Sequence, residues 1–332
     1  MDSPVERRMV AMVGGETLLA KEIRELLTES KPAPRVQLIS SAGDNSTHLS
    51  LDQEDADVLI PLNAESLEGA KVAFLTGSQA SSRRASKLNP AGGPALIDLG
   101  GGLEEQPNAR LRAPMVEPSA AASGAPVQVI ANPAAIAITA LLSRLSQAGS
   151  IKRSVIHIFE PASERGQRGI DELQQQTVAV LNLQKLKQDV FDTQAAFNML
   201  AGFGEEAEEA LEGIEQRLER HLASLLAAWP AIPMPSLRLI QAPVFHGHSF
   251  SVWIEFDDPP EILAVSAALA AGGIDVRPDE PPTNVGVAGQ SGVSAGAMAV
   301  DNNNARALWL WAVSDNLRLA AENAVAVAKE MF

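Results

Sequence analysis

The stretch that most limits how this chain can fold is Val127 to Leu142, VQVIANPAAIAITALL. A β-prone run meets Asn132-Pro133, and an apolar run of helical period follows. Pro133 supplies the fixed φ of a first helical turn, and Ile138, Leu141, Leu142 and Leu145 then share one helix face. A strand delivering its end to a helix N-terminus is the unit of an α/β fold, and free N–H donors and the helix dipole gather at that junction. A nucleophile at Ala134 or Ala135 would sit in that field. Both positions carry only a methyl group.

The rest of the first half repeats the alternation. Met9–Val13 is a strand before Gly14-Gly15, and Leu19, Ile23, Leu26 and Leu27 mark a helix face. Val36–Ser40 is the next strand, with others at 56–61, 71–76, 94–99 and 127–131. This spacing indicates a parallel, doubly wound sheet with any ligand at the carboxyl ends of its strands. Beyond Ser154 the pattern changes. Val155–Phe159 reads as a strand, Glu205–Ala228 as a long helix with a charged outer face, and Pro259–Ala271 as a further helix. Strands 237–244 and 249–256 are joined at His246-Gly247-His248, and Phe250, Val252, Ile254 and Phe256 give the second of them one buried face. Pro278–Gly296 and Ser119–Gly124 read as loops, Leu308–Val313 as a strand and Asn316–Met331 as the last helix. The expected architecture is a Rossmann-type domain, 1–132 with 313–332, and an α+β domain with a mixed sheet, 133–312.

Composition excludes several functions. The chain has 332 residues, enough for two cores, and no Cys, which removes thiolate catalysis, disulfides and Cys-type zinc sites together. A net charge of −15 and a 4% aromatic share with no Tyr argue against nucleic acid and anionic membranes as partners. The longest apolar region, 125–142, is interrupted by Gln128, Asn132 and Pro133, so it reads as strand plus buried helix, and a cytoplasmic protein is expected. The five His form no metal-binding spacing. His246 and His248 could meet Glu160 at a metal, but no third ligand spacing supports it, and no metal is expected.

Several spaced motifs resemble the aspartate-semialdehyde dehydrogenase family. Leu310–Ala324, LWAVSDNLRLAAENA, is similar to that family's closing LWVV(S/A)DNLRKGAALNA. Gln241–Ser249, QAPVFHGHS, is similar to R-x-P-V-x-x-G-H-S, and Ala196–Leu200 to AFN-x-L. Ile130–Pro133 matches the approach to the family nucleophile, and Ser163, Gly166 and Gly169 fit S-G-x-G-x-x-G with Glu164 in place of its first Gly. The resemblance implies a Rossmann domain, a dimerisation domain, NADP as cofactor and attack on an aldehyde by a cysteine thiolate. Carried over position by position, the cysteine falls on Ala135, the acid/base histidine on His248, the orienting glutamine on Glu160 and the carboxylate-binding arginine on Gln241. The phosphate-binding arginine falls on Glu104 and the phosphate lysine near Leu211. The dinucleotide glycines read Gly14, Thr17 and Ala20, with Ser41, Gly43 and Asn316 as further remnants of that site.

These departures have consequences. Ala135 forms no covalent intermediate, Glu104 repels a phosphate, and Thr17 and Ala20 place Cβ atoms where pyrophosphate approaches backbone. The string QAPVFHGH with AFNML is most similar to cysteine-free paralogues of the family. The expectation is a homodimer without dehydrogenase activity, structural, regulatory or ligand-binding, with a true aspartate-semialdehyde dehydrogenase as a second possible partner, and with NADP bound weakly if at all. Two alternatives stay open: an acid/base enzyme using Glu160 and His248, and an NADP-dependent dehydrogenase of amino-acid biosynthesis. The latter needs a nucleophile, and the hydroxyls nearest in sequence are Thr139 and Ser163. Glu160 and His248 also have a plain structural reading, as an ion pair and a bend residue.

Overall fold

The computed structural model describes residues 9–42, 48–51, 56–118 and 125–332. Gly43 and the expected loop 119–124 lie outside these. The chain forms two compact units, Met1–Ala131 with Ala320–Phe332, and Asn132–Leu319.

In the first unit, six strands form a parallel sheet in the order β2-β1-β5-β6-β8-β7. They are β1 (Met9–Val13), β2 (Arg35–Ile39), β5 (Val72–Leu75), β6 (Ala95–Asp98), β7 (Ala109–Arg112) and β8 (Val127–Ile130). A small antiparallel pair, β3 (His48–Leu51) and β4 (Ala56–Leu59), joins the end of β2 through a bridge between Ile39 and Ile60. Helices α1 (Leu18–Thr28), α2 (Ala64–Leu67) and α3 (Gln79–Leu88) alternate with the strands. α1 starts where Thr17 caps it, accepting from Ala20 N at 3.1 Å, and buries Ala20, Ile23 and Leu27. Strand β7 was not expected, because ARLR carries two arginines. Arg112 is nevertheless 1% exposed, held by Glu117 and Glu330 at 2.9 Å each and by Gln128. A buried arginine is tolerated only with such partners.

The second unit has a mixed six-stranded sheet, β10-β9-β11-β14-β13-β12. Its strands are β9 (Ile151–Glu160), β10 (Ser236–Gln241), β11 (His248–Phe256), β12 (Asp275–Arg277), β13 (Ser294–Asp301) and β14 (Asn304–Ser314). Its helices are α4 (Pro133–Ala148), α5 (Gly166–Leu181), α6 (Leu211–Leu226), α7 (Ile262–Ala271) and the short α8 (Asn284–Val287), while α9 (Asn316–Lys329) starts in this unit and belongs from Ala320 onward to the first. α4 packs against α6, α7 and β9 and is buried on nearly every side. Phe250, Val252, Ile254 and Phe256 are at most 1% exposed and belong to the core of this unit. The other face of the sheet carries Val155, Trp253, Trp309 and Trp311, half-buried or exposed.

Four expectations need correction. β10 and β11 are not neighbours: β9 lies between them, parallel to one and antiparallel to the other. The long helix begins at Leu211 rather than Glu205, because the preceding acidic turns are tied elsewhere: Glu208 to Arg168, Glu209 to Arg165 and Glu206 N to Asp192. Residues 278–296 are not all loop, since α8 and the start of β13 fall within them. The unit boundary comes after Leu319 rather than Ala312, because Val313 and Ser314 still pair with Ser249 and His248.

Candidate functional site

Strand pairing brings four polar side chains into one row at the edge of an apolar sheet face. Gln241 of β10 is the register partner of Glu160 of β9, and His248 of β11 is the partner of Ser314 of β14. Glu160 and His248 lie one step beyond the Phe159–Ser249 pair. Alternation then puts all four on the face that carries Leu239, Ile158, Phe250 and Ala312. Each of the four is 1% exposed.

The turn after β9 fills this corner with charge. Ala162–Arg165 form a 3₁₀ turn that carries Ser163, Glu164 and Arg165. The Arg165 guanidinium donates to Glu160 Oε1 and to Glu209 Oε2, both at 2.6 Å. Burial pushes the Glu160 carboxyl up to about 7, outweighing the opposing pull of Arg165, with Glu164 adding to the rise. Burial works against the Arg165 charge, but Glu160, Glu164 and Glu209 together hold its pKa above the ordinary value. Asn316 Nδ2 donates to Glu164 Oε1 at 2.7 Å, while its Oδ1 accepts from Ser163 Oγ at 3.1 Å and from Gly247 N at 3.0 Å. His248 Nε2 lies 3.9 Å from Glu164 Oε1. Burial, helped by Arg165, lowers the His248 pKa against Glu164 and Asp315, so its imidazole is neutral near pH 7.

Glu160 therefore takes Arg165 as its ion-pair partner, and the acid beside His248 is Glu164. Gln241 is oriented by its own amide, with Nε2 donating to the carbonyls of Glu160 and Ala242 at 2.9 and 3.0 Å. Arg165, Glu209 and Ser314 escaped sequence reasoning. The available signal was Glu164 in place of the first glycine of the glycine-rich turn, with Arg165 next to it, five positions after Glu160.

Ala135 lies in the first turn of α4 and is fully buried. Asn132 caps that helix, its Oδ1 accepting from Ala134 N at 2.8 Å, and its own N–H donates to His221 Nδ1 at 2.9 Å. Both neighbouring hydroxyls are spent as donors, Thr139 to Ala135 O at 2.7 Å and Ser163 to Asn316. Leu211, at the lysine position, is buried at the start of α6. Gly247 has φ +83°, so the regular strand starts only at His248, and His246 does not share its alternation. Among the described residues no three His, Asp or Glu side chains converge as a metal site.

The first unit holds the dinucleotide remnants. Gly14 keeps a left-handed φ of +90°, and a Cβ there would meet Gly77 N at 2.6 Å. Glu16 turns its carboxylate onto Ser41, accepting from both its N–H and its hydroxyl. Thr17 caps α1 with its own hydroxyl. A pyrophosphate would have to displace a carboxylate and a cap, so this loop does not fit NADP. Glu104 is half-buried in the turns after β6. Arg84, also unforeseen, donates to the carbonyls of Ser41 and Ala42.

Residues 142–319 match the family model described as semialdehyde dehydrogenase, dimerisation domain. The chain belongs to the aspartate-semialdehyde dehydrogenase family. A USG-1 protein homolog of Azotobacter vinelandii is 30% identical, with 96% of each chain covered. An aspartate-semialdehyde dehydrogenase of Prochlorococcus marinus is 26% identical, covering 96% of this chain and 94% of that one. Among solved structures, a probable aspartate-semialdehyde dehydrogenase from Pseudomonas aeruginosa superposes with a TM-score of 0.84 at 28% identity, over 98% of each chain. Membership fixes the two-unit α/β architecture. Among the described residues no helix is long and apolar enough to cross a membrane.

Proposed function

We propose that this family member has no phosphorylating dehydrogenase activity and works as a homodimeric binding or scaffolding protein. The observation that carries this is Ala135, a buried methyl group at the helix N-terminus where the family chemistry needs a thiolate. The surrounding residues agree with it. Arg165 is engaged by Glu160 and Glu209, so it is not open to a substrate carboxylate or phosphate. Glu16 repels dinucleotide phosphate, so NADP is not retained.

The dimer would form through the open face of the second sheet, where Val155, Trp253 and Trp309 sit at matching register and Trp311 lies on the same face opposite Ser251. Trp309 alone is 39% exposed, which is costly for an indole in a monomer. An obligate interface there would bury on the order of 2,000 Å² or more. A heterodimer with an active family member would use the same face.

The test is a spectrophotometric assay of NADP reduction with aspartate semialdehyde and phosphate. Turnover at the rate of an active family enzyme assayed alongside would overturn the proposal. A second reading, an acid/base enzyme of another kind, draws on the Glu160 carboxyl held up to about 7. It requires a metabolite turned over by wild-type protein and not by Glu160→Gln.

A further inference from the structure

The buried polar row is not fully satisfied: two of its three open valences, on Gln241 and His248, are acceptors, and Arg165 Nε beside the row is a buried donor without a partner of its own among the described residues. Gln241 Oε1, His248 Nδ1 and Ser314 Oγ have no hydrogen-bond partner among the described residues, although their side chains are about 1% exposed. Such groups are costly to bury unpaired. The Gln241 amide is oriented by two carbonyls, so its free atom is an acceptor. In the neutral His248 ring, the carboxylate of Glu164 favours the proton on Nε2, the nitrogen facing it, which leaves Nδ1 as an acceptor. The missing partner is therefore a donor.

Charge selects the sign of that donor. Glu160, Glu164 and Glu209 all act on the single guanidinium of Arg165, so carboxylates outnumber the cation they surround. The neutral Asn316 amide is the hydrogen-bond partner of Glu164, and Asp315 adds a further negative charge facing His248. Access is through the 3₁₀ turn: the Glu164 side chain is 16% exposed, and a Cβ on Gly166 beside it would meet nothing within 4 Å.

We propose that the corner formed by Glu164, His248 and Ser314 binds a small primary amine as its ammonium ion. Neighbouring strands stand roughly 4.8 Å apart. One ammonium group thus bridges His248 Nδ1 and Ser314, with Glu164 acting through the ring by holding the proton on the opposite nitrogen, whereas Gln241, two strands from His248, is left for a second donor on a longer ligand. The proposal rests on the reading of this site as one without thiolate chemistry, and it names the ligand class that such a site takes.

The probe is methylammonium chloride, titrated calorimetrically into the full-length protein near neutral pH. Sodium phosphate and tetramethylammonium chloride, which has the charge but no N–H, are titrated at matched ionic strength. Saturable binding of methylammonium alone is expected, weakened at least about tenfold by Glu164→Gln and unchanged by Glu208→Gln on the exposed Arg168 pair. If Glu164→Gln fails to fold, the imidazole resonances of His248 in the wild type decide: they move with methylammonium and not with tetramethylammonium. No saturable methylammonium binding, equal binding of tetramethylammonium, preference for phosphate, or an unaffected Glu164→Gln variant each overturns the proposal. None of these results is NADP reduction, which would instead overturn the functional reading beneath it.

Discussion

Replacing Glu160 by glutamine should change how stability responds to pH, and the size of the change follows from the burial of one carboxyl. An ordinary glutamate titrates at 4.5, and in the folded protein burial pushes Glu160 to about 7. The folded state therefore holds this proton more tightly than the unfolded chain does. A carboxyl of this kind favours folding at low pH, and the favour is lost as pH rises from 4.5 through about 7. The full difference is about 3 kcal/mol, of which about 2 kcal/mol falls between roughly pH 5.5 and 8. His248 works in the opposite direction. Its lowered pKa gives stability that is present above 6.5 and lost as pH falls. Comparing wild type with Glu160→Gln cancels that contribution, because both proteins keep His248. Denaturant unfolding at fixed protein concentration, at both pH values, gives the two differences. Wild type should gain on the variant by about 2 kcal/mol on going from the higher to the lower pH. The pull of Arg165 on the ionised carboxylate is already contained in the net rise of Glu160 to about 7, so losing that half of the clamp adds no further slope. A difference that stays constant with pH would show that Arg165 overcomes burial and that Glu160 is ionised throughout.

Ala135→Cys should restore a thiol without restoring activity, since Arg165 remains occupied and the NADP loop remains blocked; it should also cost about 1–3 kcal/mol by overpacking a fully buried position. Cofactor reduction by this variant would show that the thiol was the single missing part. Arg112→Met should leave Glu117 and Glu330 without their buried partner and lower stability by roughly 3 kcal/mol; an unchanged denaturation midpoint would mean the cluster contributes nothing net. Trp253→Ala with Trp309→Ala should give a folded monomer by light scattering across a dilution series. A dimer surviving both changes would move the interface off this sheet face.

The first unit was readable because its central strands are apolar runs and the first of them, Met9–Val13, leads through a turn into a helix of clear period with Ile23 and Leu27. Its edge strand β7 was not, because the arginine inside it is buried through Glu330, a residue 218 positions away. The second unit showed the same contrast. The alternation of Phe250 to Phe256 revealed a buried face, yet no local signal says that β9 inserts between β10 and β11. β13, written in small residues, was hidden too: a Cβ on Gly296 would meet Arg277 O at 2.5 Å, a close approach that composition records only as a loop-like glycine. At the site, motif order located Ala135, Glu160, Gln241 and His248. What it could not supply was partnership, which depends on a turn folding Arg165 back onto Glu160.

The first unit is assembled from both ends of the chain, and this sets the order in which the protein can be made. Residues 132–319 are contiguous and can collapse as soon as they leave the ribosome. The parallel sheet emerges earlier but must wait. Arg112 finds Glu330, and Met115 N finds the Asn323 side-chain Oδ1 at 3.0 Å, only when the final helix has been synthesised. The amino-terminal strands are therefore the first made and the last completed. A nascent chain stalled short of residue 320 would carry a finished second unit and an unfinished first one, with a buried arginine lacking its distant carboxylate and open to chaperones or proteases.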